Sequence, residues 1–201
     1  MTGWLIAVEG PDGSGKSTQA RLLADRLDAI YTREPGGTPL GERLRDMVLD
    51  PDGEHPVDRA EALMIAAARA QHVSEIVRPA LDAGRNVVTD RYLESSIAYQ
   101  GHGRGLGPEA VAAVSNFATG GLVADLVVLI DVDTPMAASR RKENLDRIEQ
   151  AGTDFHEQVV RAYRSMAAAE PDRWVVIDGT DTVTEVADRV FAAVTERLGL
   201  G

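Results

Sequence analysis

Residues Gly10-Pro11-Asp12-Gly13-Ser14-Gly15-Lys16-Ser17 constrain this chain more than any other stretch. They follow the apolar run Trp4-Leu5-Ile6-Ala7-Val8 and lead into Thr18-Gln19-Ala20-Arg21-Leu22-Leu23-Ala24, so they read as strand, glycine loop, helix. A glycine, four intervening residues and then Gly-Lys-Ser is the spacing of a phosphate-binding P-loop, and the flanking strand and helix are the context that loop requires. Gly13 and Gly15 permit backbone conformations closed to residues with a Cβ, so successive N–H groups can turn inward around phosphate oxygens. The positive end of the new helix adds to the same site. Lys16 is expected to reach the β and γ phosphates, and the Ser17 hydroxyl to hold Mg²⁺. Lys16 is also one of only two lysines, the other being Lys142, in a chain that otherwise uses arginine. A compact charge on a flexible stem suits phosphate.

With 201 residues, 44% of them hydrophobic, the chain is long enough for one domain with a full core, and a single unit over 1–201 is the expectation. There is no cysteine, which excludes disulfides and cysteine-held zinc and fits a reducing compartment. No apolar run approaches a membrane span and no basic leader precedes the first strand, so a soluble, cytoplasmic protein is expected. The net charge of −11 argues against nucleic-acid and anionic-membrane surfaces, which are held by excess Lys and Arg. Phosphate binding must then rest on a local basic pocket.

Short apolar runs alternate with longer helical patterns, which predicts a parallel sheet covered by helices. The remaining strands are expected at Ala29–Thr32, Asn86–Thr89, Leu126–Ile130 and Trp174–Ile177. Helices are expected over Gly41–Leu49, Val57–Leu81, Glu109–Phe117, Phe155–Met166 and Val183–Leu198. Another opens at Thr134-Pro135 with a cap and a first-turn proline and runs on through the charged stretch 140–149. In open α/β sheets ligands bind at the carboxyl ends of strands. The second strand ends in Arg33-Glu34-Pro35-Gly36-Gly37-Thr38, and the third in Asp90-Arg91-Tyr92. Asp90, beside the P-loop strand, is placed to orient a Mg²⁺ shell, and Arg91 to neutralise a transferring phosphoryl group. Arg69 falls on or beside the apolar stripe of its helix, where a charge needs a salt-bridge partner or a ligand. Ser96, Tyr99 and Gln100 share one helical face. His102 lies between glycines and reads as a solvated loop residue.

Taken together, Glu9 through Thr18, the Thr32-to-Thr38 loop, Asp90-Arg91-Tyr92 through Tyr99-Gln100-Gly101, and Asp146-Arg147-Ile148-Glu149 with Phe155-His156 resemble the bacterial thymidylate kinases. The resemblance spans nearly the whole chain in order. It implies a P-loop NTPase of nucleoside-monophosphate-kinase type: a five-stranded parallel sheet flanked by helices, with a mobile lid at about 140–152, as a homodimer. It implies transfer of the ATP γ-phosphoryl group to dTMP with Mg²⁺. By position, the loop Gly10-Pro11-Asp12-Gly13-Ser14-Gly15-Lys16-Ser17-Thr18 holds ATP, and Asp12 also faces the acceptor nucleotide. Arg45 and Arg91 match acceptor-phosphate contacts, Arg69 and Gln100 the thymine edge, and Ser96 and Tyr99 the base and sugar wall, with Tyr99 excluding a ribose 2′-hydroxyl. Glu34 matches the acid of the loop after the second strand. Ile65 occupies a position where the family commonly stacks an aromatic ring on thymine. Position 13 is glycine where some members carry a P-loop arginine, so charge stabilisation falls to the lid, to Arg140, Arg141 or Arg147 together with Lys16 and Arg91. A kinase for another nucleotide on the same scaffold and a P-loop switch protein are the rival readings.

Overall fold

The computed structural model describes residues 3–140 and 144–200. Strands β1 (Leu5–Glu9), β2 (Ile30–Arg33), β3 (Val87–Asp90), β4 (Leu126–Asp131) and β5 (Trp174–Asp178) form one parallel sheet in the order β2-β3-β1-β4-β5. In the central register Val8 lies opposite Asp90 and Ile6 opposite Leu126. The loops after β1, β2 and β3 therefore emerge side by side at one end of the sheet.

The strands read as apolar runs without alternation because both faces are covered. Leu5, Ala7, Val127 and Leu129 pack on one side with Val159 and Tyr163 of helix α8 (Thr153–Ala169) and with Ile65 of helix α3 (Asp58–His72). Ile6, Val8, Val128 and Ile130 pack on the other with Leu23 of α1 (Lys16–Arg26) and with Val186, Val190 and Val194 of α9 (Val183–Leu198). Each of these leucine, isoleucine and valine side chains contributes roughly 1.5–3 kcal/mol by leaving water.

Helix α2 (Pro39–Leu49) is capped by Thr38, whose side chain accepts from the Gly41 N–H. The helix expected over Val57–Leu81 is present but widened: α3 passes through a π turn at Val73–Val77 into α4 (Arg78–Asp82). A second π segment, Ile97–Gly103, joins α5 (Leu93–Ser96) to the loop before α6 (Pro108–Thr119). His102 is exposed, as expected, but on this helical turn and not in a loop.

The charged stretch departs from expectation. Helix α7 (Thr134–Ser139) is capped by Asp133, which accepts from the Met136 N–H, and it ends at Ser139 instead of running on through 140–149. Residues 144–152 are non-helical, with a turn at 147–150. The cause is local: Asp146 Oδ1 accepts from the Ile148 and Glu149 N–H groups at 2.9 Å each, and Glu149 Oε2 accepts from the Asp146 N–H at 2.9 Å. These reciprocal bonds satisfy the backbone within one turn and compete with a longer helix. Arg141, the second of the expected lid arginines, lies outside the described residues. Among the described residues no helix is long and apolar enough to cross a membrane.

Candidate active site

The site begins where β1 ends. Gly13 has φ +91° and Gly15 φ +87°, the left-handed region that favours glycine. A Cβ on Gly13 would also stand 2.1 Å from the Ala137 carbonyl oxygen, so no larger residue fits the loop in this form. Helix α1 starts at Lys16, directly after the loop, which sets the positive end of the helix there. Lys16 Nζ donates to the Pro11 carbonyl and to Asp12 Oδ1, both at 3.3 Å. Its pKa is lowered, first by burial and then by Arg91. Two buried oxygens near it, Ser14 Oγ and Asp90 Oδ1, have no hydrogen-bond partner among the described residues.

Arg91, directly after β3, adopts φ +73°, a conformation that costs a non-glycine residue roughly 1–2 kcal/mol. Its surroundings hold it there. The Arg91 N–H donates to the Val8 carbonyl at 3.0 Å. Nη1 donates to Ser95 Oγ at 2.9 Å and to the Tyr163 hydroxyl at 3.1 Å, and Nη2 to the Tyr99 hydroxyl at 3.0 Å and to Asp12. Burial would raise the Asp12 carboxyl, but Arg91 and Lys16 hold it well below the usual carboxylate range. Beneath Arg91, Glu9 accepts from the Tyr92 N–H, Ser95 and Tyr163, and burial, reinforced by nearby Glu94, pushes it up to about 7.

Two clefts open here. One, of about 530 Å³, is lined by Ile65, Arg69, Ser96, Tyr99 and Gln100, with Pro35, Leu49 and Ile148 closing it. The other, wider and about 1860 Å³, runs along the P-loop past Ser17, Thr18, Arg21 and Asp90 to Arg140 and Thr182. They share a wall formed by Asp12, Glu34, Arg45, Arg91 and Asp146. That wall sets the guanidinium groups of Arg45 and Arg91 among three acids, Asp12, Glu34 and Asp146.

A family model described as thymidylate kinase matches residues 8–190. The chain belongs to the thymidylate kinase family. It is 45% identical to the thymidylate kinase of Deinococcus radiodurans over 97% of this chain and 98% of that one, and 41% identical to that of Lactobacillus helveticus over 98% of each. The crystal structure of thymidylate kinase from Ehrlichia chaffeensis superposes with a TM-score of 0.81 at 28% identity, covering 97% of this chain and 100% of that one.

The residues expected to meet dTMP, namely Asp12, Glu34, Arg45, Ile65, Arg69, Arg91, Ser96, Tyr99 and Gln100, all line the smaller cleft. Arg69 is 1% exposed, and its charge is met by Glu34, whose Oε2 accepts from Nε at 2.7 Å. Its other donors reach Ser115, the Tyr92 carbonyl and Ser96. Glu34 also takes a hydrogen bond from His72 Nδ1 at 2.8 Å; burial opposes its ionisation, but Arg69 and His72 lower its pKa. Among the expected lid arginines, Arg140 borders the P-loop cleft, donating to the Gly179 carbonyl at 2.8 Å. Arg147 lines neither cleft: Nε donates to the Val48 carbonyl at 2.7 Å and Nη2 to Glu61.

Sequence reading missed Glu61 and Tyr163. Glu61 stands four residues before Ile65 and eight before Arg69, so a carboxylate on the apolar face of α3 was the available signal. Tyr163 falls on the buried face of α8, where nothing in the pattern distinguishes a ring with a working hydroxyl from plain core.

Proposed function

We propose that this member of the thymidylate kinase family moves the γ-phosphoryl group of ATP onto the phosphate of dTMP, giving dTDP and ADP. ATP lies in the P-loop cleft and dTMP in the smaller one. The observation that carries the reading is the shared wall: the two clefts meet at Asp12, Glu34, Arg45, Arg91 and Asp146, where two arginines face both. Phosphoryl transfer needs alignment and charge stabilisation more than covalent chemistry, and the acceptor phosphate is itself the nucleophile. Lys16 and the loop N–H groups hold the donor's phosphates. Arg91, kept on its line by Ser95, Tyr99 and Tyr163, meets the acceptor phosphate together with Arg45.

The base edge follows from hydrogen-bond polarity. Gln100 gives its amide nitrogen to Glu61, which leaves Oε1 as an acceptor toward the cleft. One Arg69 Nη1 hydrogen is uncommitted among the described residues. An acceptor beside a donor complements the N3–H and O4 of thymine. Ile65 supplies an apolar face for the ring, and the Tyr99 hydroxyl, held by Asp12 at 2.8 Å, walls the sugar.

The residues present fit Mg²⁺. Asp90 Oδ1 is buried at the P-loop cleft without a partner among the described residues, and Ser17 lines the same cleft. Asp90 and Ser17 would hold the ion, which would supply charge neutralisation to the donor phosphates when bound. Because Gly13 leaves the loop without an arginine, Arg140 is the described lid side chain best set to add positive charge over ATP, within a lid at about 140–152. The chain acts as one unit over 1–201 in the cytoplasm. Exposed Met47, Leu63 and Phe117, on helix α3 and on α2 and α6 that pack against it, favour a homodimer, which sedimentation reads directly.

A coupled assay of ADP release tests the function. ADP should form with dTMP and Mg²⁺ and stay at background when the acceptor is omitted. Equal use of dGMP, or acceptor-independent hydrolysis, would contradict the reading.

A further inference from the structure

We propose that Glu61 fixes the orientation of the Gln100 side-chain amide and thereby makes the enzyme prefer a pyrimidine that offers an N3–H donor over one that offers an N3 acceptor. The inference rests on the assignment of the smaller cleft to the acceptor nucleotide.

Glu61 is fully buried, yet it lines neither cleft. Its Oε1 accepts from Gln100 Nε2 at 2.9 Å and from Arg104 Nε at 3.3 Å. Its Oε2 accepts from Arg104 Nη2 at 3.2 Å and from Arg147. Burial opposes ionisation, but Gln100, Arg147 and Arg104 together hold the carboxyl below its ordinary value, so the group is a carboxylate at neutral pH. A carboxylate only accepts, and a primary amide has one donating end and one accepting end. Facing Glu61, Gln100 can turn only its nitrogen inward. Its oxygen is the end left for the cleft that Gln100 lines. The polarity of the base edge is thus set one residue behind the residue that touches the base.

Thymine and uracil present a donor at N3 and an acceptor at O4; cytosine presents an acceptor at N3 and a donor at N4. Cytosine would set its N3 against the Gln100 oxygen and its amino group against Arg69, leaving both pairs mismatched in a buried site. Sites built on hydrogen bonds reject such analogues strongly. Glu61→Gln keeps the size but gives position 61 a donating end, so the two amides can turn over together and present nitrogen to the base.

The test is the ratio of kcat/KM for dTMP to that for dCMP, measured within each preparation so that the folded fraction cancels. Glu61→Gln should lower the ratio about tenfold or more, and should lower it no further in a Gln100→Ala background. If Gln100→Ala lowers the ratio while Glu61→Gln leaves it within about twofold of wild type, a difference too small for a lost hydrogen bond, the positioning role of Glu61 is wrong and the cleft assignment stands. If Gln100→Ala leaves the ratio unchanged, the cleft assignment itself fails. Should Glu61→Gln not fold, the wild-type complex with dTMP decides. Gln100 Oε1 on base N3 with Nε2 still on Glu61 supports the role, and the reverse orientation overturns it.

Discussion

Glu34→Gln isolates the worth of a charge in the wall of the smaller cleft. Glu34 and Arg69 are 2% and 1% exposed, and the carboxylate is the only acid that a salt bridge pairs with Arg69 among the described residues. Glutamine keeps the shape. Its oxygen can still face Arg69 Nε, and its nitrogen then faces His72 Nδ1. His72 can accept there by moving its proton to Nε2, which donates to Thr32 Oγ1, 2.7 Å away. The hydrogen bonds survive through a change of tautomer, and the countercharge does not. Leaving one partner of a buried pair uncompensated costs about 3–5 kcal/mol, and with the hydrogen bonds retained the lower end, about 3 kcal/mol, applies. For a chain of this size that is a fall in Tm of about 6–12 °C. Urea unfolding followed by tryptophan fluorescence at neutral pH measures it, and the ring ¹⁵N shifts of His72 report the tautomer. The gap must also depend on acid. Because the Glu34 pKa is lowered in the folded state, its stabilisation is fully present above the ordinary value of 4.5 and is lost as pH falls through the folded value, so wild type and variant converge there. A neutral-pH difference under about 1 kcal/mol, well below the buried-pair range, would refute the reasoning.

Glu9 has the opposite sign: its carboxyl is pushed up to about 7, so it destabilises the fold increasingly as pH rises from 4.5. Relative to Glu9→Gln, wild type should lose about 2 kcal/mol between about pH 5.5 and about pH 8.5 in urea unfolding, and a constant difference would contradict this. Ile65→Phe restores an aromatic face at the cleft and should lower the KM for dTMP about fivefold in steady-state assays, the ~1 kcal/mol of offset stacking; an unchanged KM would mean the base does not lie on residue 65. Arg140→Ala should cut kcat roughly tenfold or more while leaving the KM for dTMP nearly unchanged; equal kcat in variant and wild type would remove Arg140 from the lid's charge supply.

The parts of the account that the sequence carried are those whose cause is local. Gly10, Gly15 and Lys16 fix a loop by spacing, and buried parallel strands announce themselves as runs such as Leu126–Ile130 because both of their faces are covered. Arg69 could be seen to need a partner, because a charge on an apolar stripe always does. That the partner is Glu34 depended on how β2 meets α3, a relation between segments 35 residues apart. The helix expected across 140–149 failed for a local reason that was readable in principle: Asp146 and Glu149 sit three apart, the spacing of a reciprocal cap. Glu61 stayed hidden because a helical acid normally faces water, and only the packing of α3 against the segment bearing Gln100 turns this one inward. The likeness to thymidylate kinases assigned Arg147 to the lid, and in the structure that arginine binds the buried carboxylate of Glu61 instead of facing the P-loop.

The central claim is that donor and acceptor phosphates meet across the wall of Asp12, Arg45 and Arg91. Calorimetric binding of a bisubstrate compound, adenosine and thymidine joined 5′ to 5′ by a chain of five phosphates, tests it most directly. Because one molecule then fills both clefts, its affinity should exceed that of ATP or dTMP alone by roughly a hundredfold or more, and Arg91→Ala should abolish most of the gain. Binding no tighter than ATP alone, with dTMP still able to bind beside it, would contradict the claim.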